Sequence, residues 1–71
     1  MSKYAVVFEK TSTGFSAYIP DLPGCVATGR ALDETKRLIH EAMDQHLIAM
    51  RRDGDEIPAP STETAYVESA A

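Results

Sequence analysis

The 71-residue chain lacks most of the features that stabilise a small domain without a partner. It has one cysteine, and therefore no internal disulfide. Its two histidines could share only that cysteine as a thiolate ligand, so we do not expect a structural zinc site or another cofactor. A chain of this length buries a modest core and is marginally stable alone. Self-association is the remaining source of stability, and we expect a homo-oligomer, either a dimer or a tetramer.

Positive charge and long apolar runs are also scarce. Seven Lys+Arg residues stand against 11 Asp+Glu, for a formal net charge of −4. We therefore expect no direct nucleic-acid binding, and the charge favours a basic protein partner. No apolar run approaches the roughly 18 residues of a membrane span, and the apolar stretch at the N-terminus is too short for a secretory signal. The sequence predicts a cytoplasmic protein without a membrane segment.

Several short segments have the pattern of β-strands. Residues 3–10 are rich in β-branched and aromatic residues, and residues 15–20 alternate between apolar and polar. The TSTG sequence between them is typical of a turn, so the two segments predict a hairpin. Residues 25–28 predict a third strand, and residues 64–68, TAYVE, predict a short fourth strand near the C-terminus.

Helical periodicity begins after the third predicted strand. Apolar residues at steps of three, four and seven predict a helix over residues 32–52. Acidic residues in its first turn and arginines in its last suit the helix dipole. Gly54 and Pro58 follow where a helix would stop. The predicted apolar face consists of Leu32, Ile39, Ala42, Met43, His46, Leu47 and Met50.

This order of elements predicts a single α+β domain over residues 1–71. We expect a three-stranded antiparallel sheet, one long helix across one face, and the short fourth strand. The first strand is apolar on both sides, whereas one helix covers only one face of a sheet. We therefore expect that strand to be buried at a subunit interface. The fourth strand could pair within its own subunit or with a neighbour.

Two motifs carry a resemblance to a known family. PDLPGC, residues 20–25, precedes the third strand, and DGDEIPAPS, residues 53–61, follows the helix. Their order and spacing resemble the HicB-like antitoxin family over nearly all of the chain. The resemblance implies a partial RNase H-like fold, β-β-β-α-β. It also implies binding and neutralisation of a small basic toxin of the HicA type, which cleaves mRNA.

Two features depart from that family's pattern. Many members carry a C-terminal DNA-binding segment, but no such segment follows the fourth predicted strand before Ala71, so we do not expect operator binding. Relatives often have a helix-capping threonine where this chain has Ala31. Because alanine cannot accept the first-turn N–H bonds, the helix start is expected to lose a cap worth about 1 kcal/mol.

The PDLPGC motif has two interpretations. Pro20 ends the second strand, Pro23 restricts the backbone of Leu22, and Gly24 lets the chain turn back toward the sheet. In the structural interpretation, the motif is a rigid crossover between strands. In the functional interpretation, Asp21 and Leu22 protrude as a tip that contacts a partner.

The sequence contains no recognisable catalytic cluster. RNase H-like enzymes hold divalent metal with several carboxylates, but here Glu9, Asp21 and Glu68 are widely spaced. His46 is interpreted as a half-buried structural side chain and Cys25 as a small buried residue, rather than as a base and a reactive thiol. We therefore predict a protein without enzymatic activity, and detectable divalent-metal binding would instead favour a degenerate hydrolase.

The leading functional hypothesis is an antitoxin core that occludes the active surface of a HicA-type toxin. The alternative is an orphan HicB-like oligomeric scaffold or small-ligand-binding protein without catalysis. The residues expected to contact a partner are Asp21, Leu22, Glu41, Asp44, Asp53 and Asp55. The residues expected to be structural positions of the motifs and helix are Pro20, Pro23, Gly24, Cys25, Gly29, His46, Gly54 and Pro58.

Overall fold

The fold was analysed in a computed structural model that describes residues 2–71. The chain forms three strands, β1 (Val7–Lys10), β2 (Phe15–Tyr18) and β3 (Val26–Gly29), followed by one helix, α1 (Leu32–Arg52). The strands are antiparallel in the order β1-β2-β3, and α1 packs against β2 and β3. This confirms the predicted α+β class, a three-stranded antiparallel sheet with one long helix across one face.

The strand register separates the side chains of the sheet into two faces. Phe8, Ala17 and Ala27 are aligned across the three strands and belong to the face that packs with α1. The neighbouring row, which includes Tyr18 and Val26, is on the opposite face. Ala17 is 2% exposed, whereas Val26 is 63% exposed. The helix therefore buries one face, and the other keeps an apolar row open to solvent in the single chain.

The core lies between α1 and the sheet and continues into the PDLPGC corner. Its buried apolar residues are Ala17, Ile19, Leu22, Cys25 and Ile39. The partly buried apolar side chains packed against them are Tyr4, Val6, Phe8, Ala27, Ala42, Met43, Leu47 and Met50. Most of the predicted helix face is thus in or beside the core, at the spacing that its periodicity indicates.

The first turn of α1 differs from the prediction. Leu32 remains 36% exposed, whereas Thr35 is fully buried. The hydroxyl of Thr35 donates to the carbonyl oxygen of Ala31 at 2.8 Å, which satisfies the polar group inside the core. Ala31 is the N-cap residue and makes no side-chain cap, as expected for alanine. The carboxylate of Glu34 accepts a bond from the backbone N–H of Arg30 at 2.8 Å, which ties the residue before the N-cap to the first turn of the helix.

The end of α1 has the hydrogen bonds of a Schellman motif. The N–H of Gly54 donates to the carbonyl of Arg51 at 3.2 Å, and that of Asp55 donates to Met50 at 2.9 Å. Gly54 has a φ of 74°, a conformation that costs glycine little because it has no Cβ. The DGD sequence therefore ends the helix and turns the chain back toward the sheet. Within residues 2–71, no helix is both long and apolar enough to span a membrane.

The first strand is shorter than predicted, and the predicted fourth strand does not form in the described single chain. β1 begins at Val7, not at residue 3, because its partner β2 ends at Tyr18, opposite Val7. Beyond that pair, the backbone N–H of Ile19 donates to Cys25 across the corner instead, at 3.2 Å. Residues 64–68 form no strand in the described part of the chain, because no neighbouring strand pairs with their backbone.

The fully buried position of Leu22 leads to a stability prediction. Leu22→Ala removes a side chain that is 0% exposed, and we expect a loss of about 3 kcal/mol in the free energy of unfolding. Val26→Ala, at a 63% exposed position, should change it by less than about 0.5 kcal/mol. Urea denaturation followed by circular dichroism measures both. Equal destabilisation by the two substitutions would contradict the placement of Leu22 in the core.

Candidate partner-binding site

The PDLPGC corner is closed by its own backbone. The N–H of Leu22 donates to the carbonyl of Ile19, and that of Cys25 donates to Leu22, both at 3.0 Å. Gly24 makes the turn with a φ of 86°. These bonds direct the Leu22 side chain inward, where it is fully buried. The prediction that Leu22 protrudes as a partner-contacting tip is therefore wrong, because the same turn that reverses the chain places this side chain in the core.

Asp21 points the other way and ties the two sequence motifs together. One oxygen of its carboxylate accepts bonds from the backbone N–H groups of Ser61 and Thr62, at 2.9 and 3.1 Å. The other accepts bonds from the hydroxyls of the same two residues, at 3.1 and 2.7 Å. These donors, the Thr62 hydroxyl foremost, lower the pKa of Asp21 to about 2. We call this four-bond arrangement the Asp21 clamp.

One more long-range bond fixes the same segment. The hydroxyl of Tyr4 donates to the carbonyl oxygen of Pro58 at 2.5 Å. Together with the Asp21 clamp, it holds the IPAPS part of the second motif against the corner and the residues before β1. The sequence offered no local signal for these contacts, since the paired residues are 40 to 54 positions apart.

The two motifs and the end of α1 enclose a groove of about 340 Å³, which we call the motif groove. Most of its lining residues are apolar, and Asp53 and Asp55 line it beside the helix C-terminus, where they form what we call its acidic rim. Since the C-terminal end of a helix carries partial negative charge, this rim favours cations. The residues lining the groove are Leu22, Pro23, His46, Ala49, Met50, Asp53, Asp55 and Pro58.

The predicted acidic contacts fall on two separate surfaces. Asp53 and Asp55 border the motif groove, although Asp53 also accepts a bond from the side chain of Arg52 at 3.2 Å. Glu41 and Asp44 lie on the exposed side of α1, outside the groove. Each has a partner one helical turn earlier: Glu41 lies 3.6 Å from Arg37, and Asp44 lies 3.8 Å from His40.

The remaining candidate groups do not assemble a reactive centre. His46 is half-buried at the wall of the motif groove. Cys25 is buried, and burial raises the pKa of its thiol, which keeps it protonated. Among residues 2–71, no group of three His, Cys, Asp or Glu side chains is arranged to hold a metal ion. The chemistry of the site is that of an apolar groove with an acidic rim.

The comparison with known proteins identifies the family. Residues 4–70 match the family described as "HicB_like antitoxin of bacterial toxin-antitoxin system". The chain belongs to the HicB-like antitoxin family. Both motifs and the whole of α1 lie inside the matched range, which confirms the resemblance inferred from PDLPGC and DGDEIPAPS.

The chain is also similar to individual proteins. A protein of Haemophilus phage HP1, described as an uncharacterized 14.9 kDa protein in the rep-hol intergenic region, is 31% identical over 64 residues. That alignment covers 90% of this chain and 48% of the phage protein, so the chain spans about half the length of that relative. A UPF0150 protein of Helicobacter pylori is 42% identical over 41 residues, which cover 58% of this HicB-like chain and 57% of the relative.

A solved structure shares the fold. A chain from a structure described as "HicA3 and HicB3 toxin-antitoxin complex" superposes with a TM-score of 0.73 at 30% sequence identity. The superposition covers 84% of this HicB-like chain and 70% of the other. The fold described above is therefore one that occurs in a toxin–antitoxin complex.

The lowered pKa of Asp21 predicts how stability depends on pH. The folded value of about 2 lies below the ordinary 3.8, so the clamp contributes fully above about 3.8 and loses its contribution as pH falls toward 2. Asp21→Asn removes the charge and replaces one accepting oxygen with a donor, so it should abolish this part of the acid dependence. The readout is the urea midpoint of both proteins between those pH values, alongside an NMR titration of the Asp21 carboxyl carbon.

Glu56→Gln, at an exposed position after α1, is the control. It should leave the acid dependence near that of the wild type. If Asp21→Asn and Glu56→Gln behaved alike, or if Asp21 titrated near 3.8, the clamp would not form in solution.

Proposed function

We propose that this HicB-like chain is an antitoxin that binds and neutralises a small basic toxin of the HicA type. The observation that carries the proposal is membership of the HicB-like family over residues 4–70. The structural similarity to a chain of a HicA3 and HicB3 complex supports it, because at 30% identity the two chains share more than a general fold. The net charge of −4 suits a basic partner.

The proposed inhibition is steric and needs no catalysis by this chain. Bound antitoxin covers the RNA-cleaving surface of the toxin, so that RNA cannot approach. A surface that binds RNA is rich in Lys and Arg. An acidic protein surface competes for the same side chains and accelerates association through electrostatic attraction. The action takes place in the cytoplasm, where mRNA is translated.

The motif groove is the contact surface that we propose for the toxin. A Lys or Arg side chain of the toxin can lay its aliphatic part on Pro23, Ala49 and Pro58 and bring its charge to the carboxylates of Asp53 and Asp55. The last turn of α1 adds its partial negative charge at the same place. Glu41 and Asp44 are a secondary surface, because they lie outside the motif groove. Their carboxylates lie close to Arg37 and His40, as that of Asp53 does to Arg52, so ion pairing does not distinguish the two surfaces.

Asp21 and Leu22 have an indirect role in this proposal. The carboxylate of Asp21 is occupied by Ser61 and Thr62, and Leu22 forms the inner wall of the groove. They therefore position the groove and are not expected to bind the toxin through their own charge or surface.

Charge reversal tests the groove against the outer face of α1. We expect Asp53→Lys with Asp55→Lys to weaken binding to the HicA-type toxin by about a hundredfold, since two attractive contacts become repulsive. Glu41→Lys with Asp44→Lys makes the same change of charge on the outer face and should weaken binding by no more than about tenfold. Surface plasmon resonance with a HicA-type toxin from the same genome, together with an RNA-cleavage assay, measures affinity and neutralisation.

The outcomes distinguish the surface from the function. If the outer-face pair had the larger effect, the toxin would bind there and the groove assignment would be wrong. If the wild-type chain bound no small basic toxin and did not reduce RNA cleavage, the antitoxin proposal itself would fail. The chain would then be an orphan scaffold or small-ligand-binding member of the family.

A further inference from the structure

A second groove, distinct from the motif groove, runs along the side of α1 that faces the residues before β1. Two adjoining cavities of about 450 and 430 Å³ form it, and both are lined by Tyr4, His40 and Met43. Lys36 lines one cavity and Arg51 lines the other. At about 1.5 Å per residue, these two positions on α1 are roughly 22 Å apart, so the groove is long and narrow. We call the joined cavities the helix trough.

The walls of the helix trough are mainly apolar side chains that the core leaves partly open. Val6 and Phe8 line it from the sheet side. Met43 and Leu47 line it from α1, and all four side chains are only partly buried. The unbranched thioether of Met43 adapts readily to the shape of a ligand. Tyr4 is held in place by the bond of its hydroxyl to the second motif. A preformed apolar concavity of this size is typical of a small-molecule site.

The charge around the helix trough is opposite to that of the whole chain. Three of the seven Lys and Arg residues line it, Lys3, Lys36 and Arg51, against one of the 11 Asp and Glu residues, Asp44. Asp44 lies 3.8 Å from His40, which also lines the trough. Among residues 2–71, the three cations form no salt bridge. A chain with a formal net charge of −4 therefore places unneutralised positive charge around an apolar groove.

The C-terminal segment of the chain does not occupy the helix trough. Ile57 lines one end of it, but the Asp21 clamp then holds the following residues at the corner. Residues 64–66 lie beside residues 6–8 in a separate cavity, and they line neither part of the trough. The trough is therefore open in the single chain, although the neighbouring edge of the sheet carries the chain's own segment.

We infer that the helix trough binds a linear apolar anion of the fatty-acid class. The hydrocarbon chain lies along α1 beside Phe8 and Met43, and its removal from water supplies most of the affinity. The carboxylate lies at the end lined by Lys3 and Lys36, because no Asp or Glu lines that cavity, whereas Asp44 lines the other. Two lysines at one end give the ligand a single orientation.

This ligand is distinguished from the proposed toxin by charge and by place. A basic toxin surface is a poor occupant of the helix trough, because the lysines there repel it. The trough and the motif groove share no lining residue. The inference is therefore independent of the proposed antitoxin function and stands or falls separately from it.

Isothermal titration of the full chain with dodecanoate, below the concentration at which this fatty acid forms micelles, tests the site. We expect saturable binding of one ligand per chain. Decanoate should bind about tenfold more weakly, because its chain buries two fewer CH₂ groups. Dodecyltrimethylammonium has a similar chain with the opposite charge and should also bind at least about tenfold more weakly. Equal binding of the anion and the cation, or no saturable binding of dodecanoate, would overturn the inference.

Two double variants separate a local site from the overall charge of the chain. Lys3→Gln with Lys36→Gln should weaken dodecanoate binding by about tenfold, because it removes both cations at the carboxylate. Arg37→Gln with Arg52→Gln is the matched control, since it removes the same charge from exposed side chains that do not line the trough. It should leave the dissociation constant within about twofold of the wild type. If the two variants behaved alike, the assignment to the trough would be wrong.

Heteronuclear NMR of the full chain locates the ligand without substitutions. Dodecanoate should shift the backbone signals of residues 3–6, Lys36 and Met43. The exposed apolar side chains of the opposite sheet face, Tyr18 and Val26, are the competing surface, and their signals should not move. Shifts confined to Tyr18 and Val26 would show adsorption on that face and contradict the inference.

The same spectra test the other occupants of the helix trough. The trough signals are followed as the protein concentration is raised, as a HicA-type toxin is added, and as anionic phospholipid vesicles are added. If one of these moved the trough signals while dodecanoate did not, the occupant would be a second copy, the toxin or a membrane surface. Each of those results would contradict the binding of a free fatty acid.

Discussion

The side chain of Leu22 is enclosed by the core, and residues of both sequence motifs pack around it. The corner bonds of Ile19 and Cys25 turn the chain so that Leu22 packs with the apolar face of α1. The C-terminal half of α1 and Pro58 close over the same region. A sheet of three four-residue strands has little surface with which to hold a 21-residue helix. The corner supplies the additional apolar contact, and the groove beside it is a consequence of how the corner and the helix end meet.

The charged residues at the two ends of α1 and in the two motifs have different roles. Acidic residues at the start of α1 and arginines in its last turn both favour the helix dipole. Asp53 and Asp55 follow those arginines and place negative charge beside the end of the helix, at the rim of the motif groove. The Asp21 carboxylate, by contrast, is saturated by Ser61 and Thr62. The acidic residue of the first motif thus serves the fold, whereas in the second motif Asp53 pairs with Arg52 and both Asp53 and Asp55 line the motif groove.

The sequence predicted local features well and distant contacts poorly. Periodicity indicated a helix over residues 32–52, the range that α1 occupies. An amphipathic pattern depends only on residues that are close together in the sequence, so it can be recognised without the structure. Periodicity did not place Thr35 in the core, because the pattern counts only apolar residues. The Thr35 hydroxyl donates to a backbone carbonyl at the start of the helix, so its side chain can be buried like an apolar one. Periodicity also could not show that Asp21 accepts a hydrogen bond from Ser61, because the two residues are 40 positions apart.

The fourth strand, at residues 64–68, illustrates the same limit for β-structure. Composition showed that the segment suits a strand, but a strand exists only where another backbone pairs with it. The sequence predicted no groove: Pro23, His46 and Pro58 are expected structural positions, and Asp53 and Asp55 are expected partner contacts on exposed loops. Their convergence on one groove depends on the Schellman turn at Gly54 and on the clamp, neither of which follows from spacing alone.

Hydrogen–deuterium exchange of this chain with and without the HicA-type toxin tests the central claim most directly, because it maps the contact surface without substitutions. The account predicts that toxin slows exchange in the backbone around the motif groove, at residues 22–25, in the last two turns of α1 and at residues 53–58. Slowed exchange confined to the first half of α1 or to the strands, with the motif groove unchanged, would contradict it.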